Sequence, residues 1–193
     1  SYMILEHHRF SAIDISPHLP FIKAAVAFFD AHYQMRRRQR SGEPLDEDGK
    51  LEIYPSTSCE SYKGAKNPSD LIAGLQACLA SLLQLDEPLI SAGEKAYYGE
   101  YLERLPDFGY DDVDGDTIVK PAWSWEKYQN AECPQFYPLF PFDRFDLRDG
   151  AAIALFKNTW KHGTFPKGIV VSWHQDGIFF ARMGMTGEAA EYN

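Results

Sequence analysis

Apolar residues recur at helical spacing in several separated stretches of this chain, and no other feature limits its fold as strongly. Ile22, Ala25, Val26, Phe29 and Tyr33 mark one stretch. Ser16-Pro17 opens it as N-cap and first-turn proline, and it is expected to run to about Arg38. Asn67-Pro68-Ser69-Asp70 opens a second, with Leu71, Leu75, Cys78, Leu79, Leu82 and Leu83 as its apolar stripe. Ser91 with Glu94 reads as a capping box for a third, whose Tyr97, Tyr98, Tyr101, Leu102 and Leu105 turn inward before Pro106 stops it. Ala151 to Trp160, Asp176 to Gly184 and a short segment from Thr186 read as three more.

Strands are scarce in this reading. Leu51-Glu52-Ile53-Tyr54 is the one short candidate, and residues 107 to about 144 read as a long loop rich in proline, aromatics and acids. A loop of that length inside a compact domain points to function. Helices joined by long aromatic loops predict a mainly-α fold built from helical hairpins, as in a bundle or toroid.

The chain has 193 residues, with 13 Phe, 11 Tyr and 4 Trp, an aromatic share of 15%. Such an excess suits a large core, and equally a cleft where sugar CH groups stack on ring faces. A net charge of −9 excludes the basic footprint that nucleic acid requires. The basic run Arg36-Arg37-Arg38-Gln39-Arg40 falls at a helix end, where it complements the dipole. No apolar stretch has the length of a membrane span. Cys59, Cys78 and Cys133 have no metal-ligand spacing, and no histidine pair sits at helical spacing, so neither metal nor cofactor is expected.

Three clusters carry candidate chemistry. In Pro55-Ser56-Thr57-Ser58-Cys59-Glu60-Ser61-Tyr62, a single carboxylate stands among hydroxyls on a loop between helices, which fits a general acid or an ordinary polar loop. In Trp173-His174-Gln175-Asp176-Gly177, Asp176 is placed to cap a helix, to face a cleft, or both. In Asn130-Ala131-Glu132-Cys133-Pro134-Gln135-Phe136-Tyr137-Pro138-Leu139-Phe140-Pro141, Asn130, Glu132 and Gln135 form a polar strip on a rigid segment, suited to hydroxyl groups or to simple connection.

The order and spacing of these clusters resemble the six-hairpin (α/α)6-barrel glycosidases, specifically the catalytic domain of glycoside hydrolase family 95, over about His18 to Ala190. That family comprises inverting α-L-fucosidases and related α-L-galactosidases. Pro55 to Glu60 resembles its Pro-Ser-x-Ser-Pro-Glu-Asn element, Pro134 to Pro141 its Ser-His-Leu-Tyr-Gly-Leu-Tyr-Pro element, and Gln175-Asp176-Gly177-Ile178-Phe179 its Ile-Asp-Gly-Asn-Phe element. The resemblance implies Glu60 as general acid, raised in pKa by burial near Tyr62, and Asp176 as general base. It also implies a substrate face of Tyr62, Trp123, Asn130, Glu132, Gln135, Trp173 and His174.

Cys59 replaces the motif's Pro, Ser61 its Asn and Ile178 a further Asn, while Glu132 and Gln135 stand where the family carries histidines. These changes put fucose specificity in doubt. The family's upstream Asn element is absent, so residues 1–193 are expected to be a single partial barrel domain cut from a longer chain. Its partners would be a glycoside or oligosaccharide and the rest of its own barrel, in the periplasm or outside the cell. A non-catalytic carbohydrate-binding relative is the alternative.

Overall fold

A computed structural model describes residues 1–11, 13–167 and 175–192. Among these, seven α-helices are accompanied by two antiparallel sheets, so the fold is mixed α/β and not the mainly-α toroid portion expected. The strands come from residues 56–66 and 110–128, expected to be loop, and from Asn67-Pro68, expected to open a helix that in fact begins at Ser69. The chain divides into two compact units, Ser1–Tyr54 with Gly74–Asp107, and Pro55–Ala73 with Phe108–Asn193.

The first unit is helical. It holds α1 (Tyr2–Phe10), α2 (Leu19–Ser41), most of α3 (Ser69–Leu83) and α4 (Ala92–Arg104). The helix expected from Ser16-Pro17 begins two residues later, with His18 at its N-cap, and ends where Gly42 takes φ 87° and donates its N–H to the Arg38 carbonyl. Its basic end is partly used within the unit, since Arg40 bonds the Glu52 carboxylate and the Tyr54 carbonyl. The capping box at Ser91 forms with both reciprocal bonds. The candidate strand at Leu51–Tyr54 does not form a strand; Leu51 and Ile53 are buried in the core, Leu51 N–H donates to the Arg104 carbonyl, and Tyr54 N–H donates to the Glu52 carbonyl. A polar knot lies inside this unit. Buried Asp30 accepts from Tyr97 Oη at 2.9 Å, Arg104 Nη2 at 2.8 Å and Gln34 Nε2 at 2.7 Å.

The second unit carries the sheets. β1 (Ser56–Ser58) and β2 (Tyr62–Pro68) form a hairpin, and β2 also pairs with β5 (Ala122–Ser124) and β6 (Lys127–Tyr128). β3 (Tyr110–Val113) and β4 (Asp116–Val119) form a second hairpin, turned at Asp114-Gly115, both in the left-handed region. That two-residue Asp-Gly turn matches the twist of the flanking strands. α5 (Gly150–His162), α6 (Asp176–Arg182) and α7 (Thr186–Glu191) complete the unit, with α5 capped by the Asp149 side chain.

The unit's core is aromatic. Phe136, on a single 3-10 turn (Pro134–Phe136), has ring neighbours Phe156, Trp160, Phe165 and Phe179 at centroid distances of 5.0–6.0 Å. Each such ring pair adds about 0.5–1.5 kcal/mol beyond its buried area. Packing of this kind holds the segment after Asn130 rigidly in the unit. Among the described residues, no helix is long and apolar enough to cross a membrane.

Candidate functional site

Glu60 lies at a β-turn, not in an open loop. Ser58 pairs with Tyr62 across the β1–β2 hairpin, which leaves Cys59-Glu60-Ser61 as its connection. Cys59 sits at φ 46°, an uncommon place for a residue with a side chain, so the turn needs restraint from its surroundings.

Glu132 supplies that restraint. Its Oε2 accepts from the Glu60 backbone N–H at 2.8 Å and from the Ser61 hydroxyl at 2.9 Å, while its own N–H donates to Ser61 Oγ at 3.1 Å. Gln129 adds its N–H to the Ser61 carbonyl and its side-chain amide to the Glu60 carbonyl. Above this clasp the Glu60 side chain is exposed, with Asn130 Nδ2 donating to Glu60 Oε2 across a long 3.5 Å. The structure therefore brings Glu60, Asn130 and Glu132 together. The Glu60 side chain is exposed rather than buried near Tyr62 as expected, and Glu132 Oε2 takes both bonds of the turn.

A second carboxylate lies beneath the turn, at a position where the sequence suggests only a helix-opening acid. Asp70, in the first turn of α3, accepts from Ser58 Oγ at 2.7 Å and from Cys59 N–H at 3.0 Å. Burial raises its pKa, against the lowering effect of those donors. Burial also pushes the Cys59 thiol up, with the Asp70 charge adding to it. The partners of Asp70 come from a hairpin it does not belong to, which is why a helix-start pattern alone does not single it out.

Aromatic rings line the same hairpin. Tyr62 is buried and stands against Trp125 at 5.1 Å and Tyr128 at 4.9 Å. Trp123, Trp125 and Tyr128 each keep about 40% of their surface exposed. Gly64, at φ 60°, lets Glu126 pass at a distance no Cβ would allow. Trp125 and Tyr128 extend the predicted face of Tyr62 and Trp123. The neighbouring tryptophans and the tyrosine three residues on are the sequence signal for them.

Asp176 is the first residue of α6 and is 2% exposed. Gln175 precedes it as N-cap without a side-chain cap bond, so Asp176 is not the capping residue. The Cys133 thiol is pushed up to about 12 by burial, then by the charges of Asp176 and Glu132. Gln135 is 3% exposed, and its Oε1 has no hydrogen-bond partner among the described residues. Trp173 and His174 lie outside the described residues. Among the described residues, no three His, Cys, Asp or Glu side chains group as they would around a metal ion.

Comparison of the chain with family models, with curated proteins and with solved structures finds no match.

Proposed function

We propose that the second unit carries a carbohydrate-processing site of glycosidase type, with Glu60 as proton donor. The observation that supports it best is the Glu60 turn. An exposed carboxyl group sits on a hairpin pinned by Glu132, beside the Asn130 amide and next in sequence to a face of Tyr62, Trp125 and Tyr128 rings. Sugars are bound by this combination of ring faces for CH groups and planar polar groups for hydroxyls.

In this reading Glu60 protonates the leaving oxygen as the glycosidic bond breaks, and Asn130 orients the Glu60 carboxyl. Asp176 takes a proton from the attacking water, giving a hydrolysed product of inverted configuration. The motif resemblance supports the pairing of Glu60 with Asp176.

One observation favours a second reading, binding without turnover. Asp176 is 2% exposed, whereas a base must meet a water. The test is reducing-sugar release from an oligosaccharide panel by the chain and by Glu60→Gln. The proposal expects turnover that falls by roughly 100-fold or more in the variant. Saturable binding of an oligosaccharide without turnover selects the second reading, and absence of both binding and turnover removes both.

A further inference from the structure

The outer face of α2 is apolar without interruption. Between Leu19 and Met35 every exposed residue is Pro, Ala, Phe or Met. Phe21 is 66% exposed, Phe28 60% and Met35 44%. The two charged side chains of that stretch are committed within the first unit: Lys23 bonds Glu94 and the Leu89 carbonyl, and Asp30 lies in the buried knot. The inner face, with Ile22, Val26 and Tyr33, is buried. A helix that is apolar all round is one that is covered all round, and a continuous apolar patch of this kind marks an interaction surface where single exposed residues would not.

The spacing on this face selects its occupant. Phe21, Ala24, Phe28, Ala31 and Met35 follow one another at alternating steps of 3 and 4 residues, the seam of paired helices. The seam is also symmetric about Phe28, with Phe21 seven residues before it and Met35 seven after. A second copy of α2, laid antiparallel across a two-fold axis at Phe28, therefore meets the first with matched side chains. Phe28 packs on Phe28, and each Phe21 meets a Met35, a favourable sulfur–aromatic contact. The alanines between them let the two backbones approach. Phe28 is already ordered by stacking on His32 at 5.3 Å, which lowers the entropy lost on pairing.

Area and charge agree with that occupant. The two phenylalanines alone leave roughly 250 Å² in water. The whole face leaves roughly 600 Å² per chain, so pairing buries about 1,200 Å², the lower end of stable interfaces. A parallel pair would set the basic runs Arg36–Arg40 side by side. The antiparallel pair separates them, opposes the helix dipoles, and brings the exposed Arg38 level with the partner's His18, near the exposed Asp14 that precedes that helix. We infer that the outer face of α2 is a homodimer interface, filled by the same face of a second copy of this chain in antiparallel register about Phe28. The inference is independent of the carbohydrate reading.

Sedimentation velocity on the chain over about 1–100 μM reads the oligomeric state. The expected species has twice the 22.0 kDa mass of one chain. Phe28→Glu sets two carboxylates against each other at the axis and should weaken the pair about 100-fold or more. Its helical circular dichroism should be kept, because Phe28 is exposed in the single chain. A short bis-maleimide reads the orientation, with the wild type and its half-buried Cys59 as background. Phe28→Cys should link to itself. Phe21→Cys should link to Met35→Cys but not to itself, since the two copies of position 21 lie about 20 Å apart in this register. A monomer throughout the range, a dimer that folded Phe28→Glu leaves intact, or Phe21→Cys that links to itself and not to Met35→Cys overturns the inference. A monomer that floats with vesicles of phosphatidylcholine and phosphatidylglycerol assigns the face to a lipid surface, and overturns it equally.

Discussion

The clasp between Glu132 and the Glu60 turn has a calculable weight. In Glu132→Ala the Ser61 hydroxyl loses its acceptor, and Ser61 is fully buried, so water does not replace it. An unsatisfied buried hydroxyl costs about 1–3 kcal/mol. The Glu60 N–H also loses its acceptor, but on an exposed turn where water substitutes, at about 0.5–1 kcal/mol. The variant should therefore lose about 2–4 kcal/mol, a fall in Tm of roughly 5–15 °C for a chain of this size. Glu132→Gln keeps an oxygen in place for both donors and loses only the charge assistance, about 1 kcal/mol. Urea unfolding followed by tryptophan fluorescence is the suitable assay, because Trp123, Trp125 and Trp160 report on the second unit. A Glu132→Ala variant within about 0.5 kcal/mol of wild type, or indistinguishable from Glu132→Gln, would refute the clasp.

Two further outcomes come from the buried carboxylates. Asp30→Ala strands the Arg104 guanidinium, whose side chain is 22% exposed, and removes the acceptor of Tyr97 and Gln34. It should cost the first unit about 3–5 kcal/mol, read as faster amide exchange in α2 and α4. Unchanged exchange would contradict the structural weight given to that knot. Asp70 has the opposite pH behaviour from most carboxylates. Its folded pKa is raised by burial, so the folded chain holds this proton more tightly than the unfolded chain. Its contribution to stability is fully present below the ordinary carboxylate value, and is lost as pH rises from there to the raised folded value. Glu94, held at about 2 chiefly by its Lys23 hydrogen bond, contributes with the other sign, so the informative quantity is the difference between wild type and Asp70→Asn. That difference should move against wild type as pH rises, and a difference flat with pH would contradict the burial of the Asp70 carboxyl.

What is legible in the sequence is local. Ser91 and Glu94 announce their helix because both bonds of the capping box lie within one turn. The apolar stripe from Leu71 to Leu83 does the same by periodicity, and α5 and α6 fall where their patterns begin. The strands are hidden for a physical reason. β2 reads Tyr-Lys-Gly-Ala-Lys-Asn-Pro, with no β-branched residue and no alternation, and it is a strand because β1, β5 and β6 bring it hydrogen-bonding partners. β3 and β4 are different. Their Asp114-Gly115 turn is flanked by three further acids, Asp111, Asp112 and Asp116, which disguise the strands as loop.

The site divides along the same line. Glu60, Asn130 and Glu132 each stand out in the sequence as candidates, but their contact spans separations of about seventy residues and depends on β6 returning to β2. The structural duty of Glu132 and the bonds of Asp70 to the hairpin are unreadable there because both arise from partners on distant segments. The aromatic excess serves two purposes at once. Phe136 and its neighbours fill the core, while Trp123, Trp125 and Tyr128 stay at the surface.

The central claim concerns proton donation by Glu60, and leaving-group dependence tests it most directly. Glu60→Gln should be compared with wild type on an oligosaccharide, whose alkoxide leaving group needs a proton, and on an aryl glycoside of the same sugar with an acidic phenol, which does not. The account predicts a loss of about 100-fold or more on the oligosaccharide and a much smaller loss on the aryl glycoside. An equal loss on both substrates, or no loss on either, would contradict it.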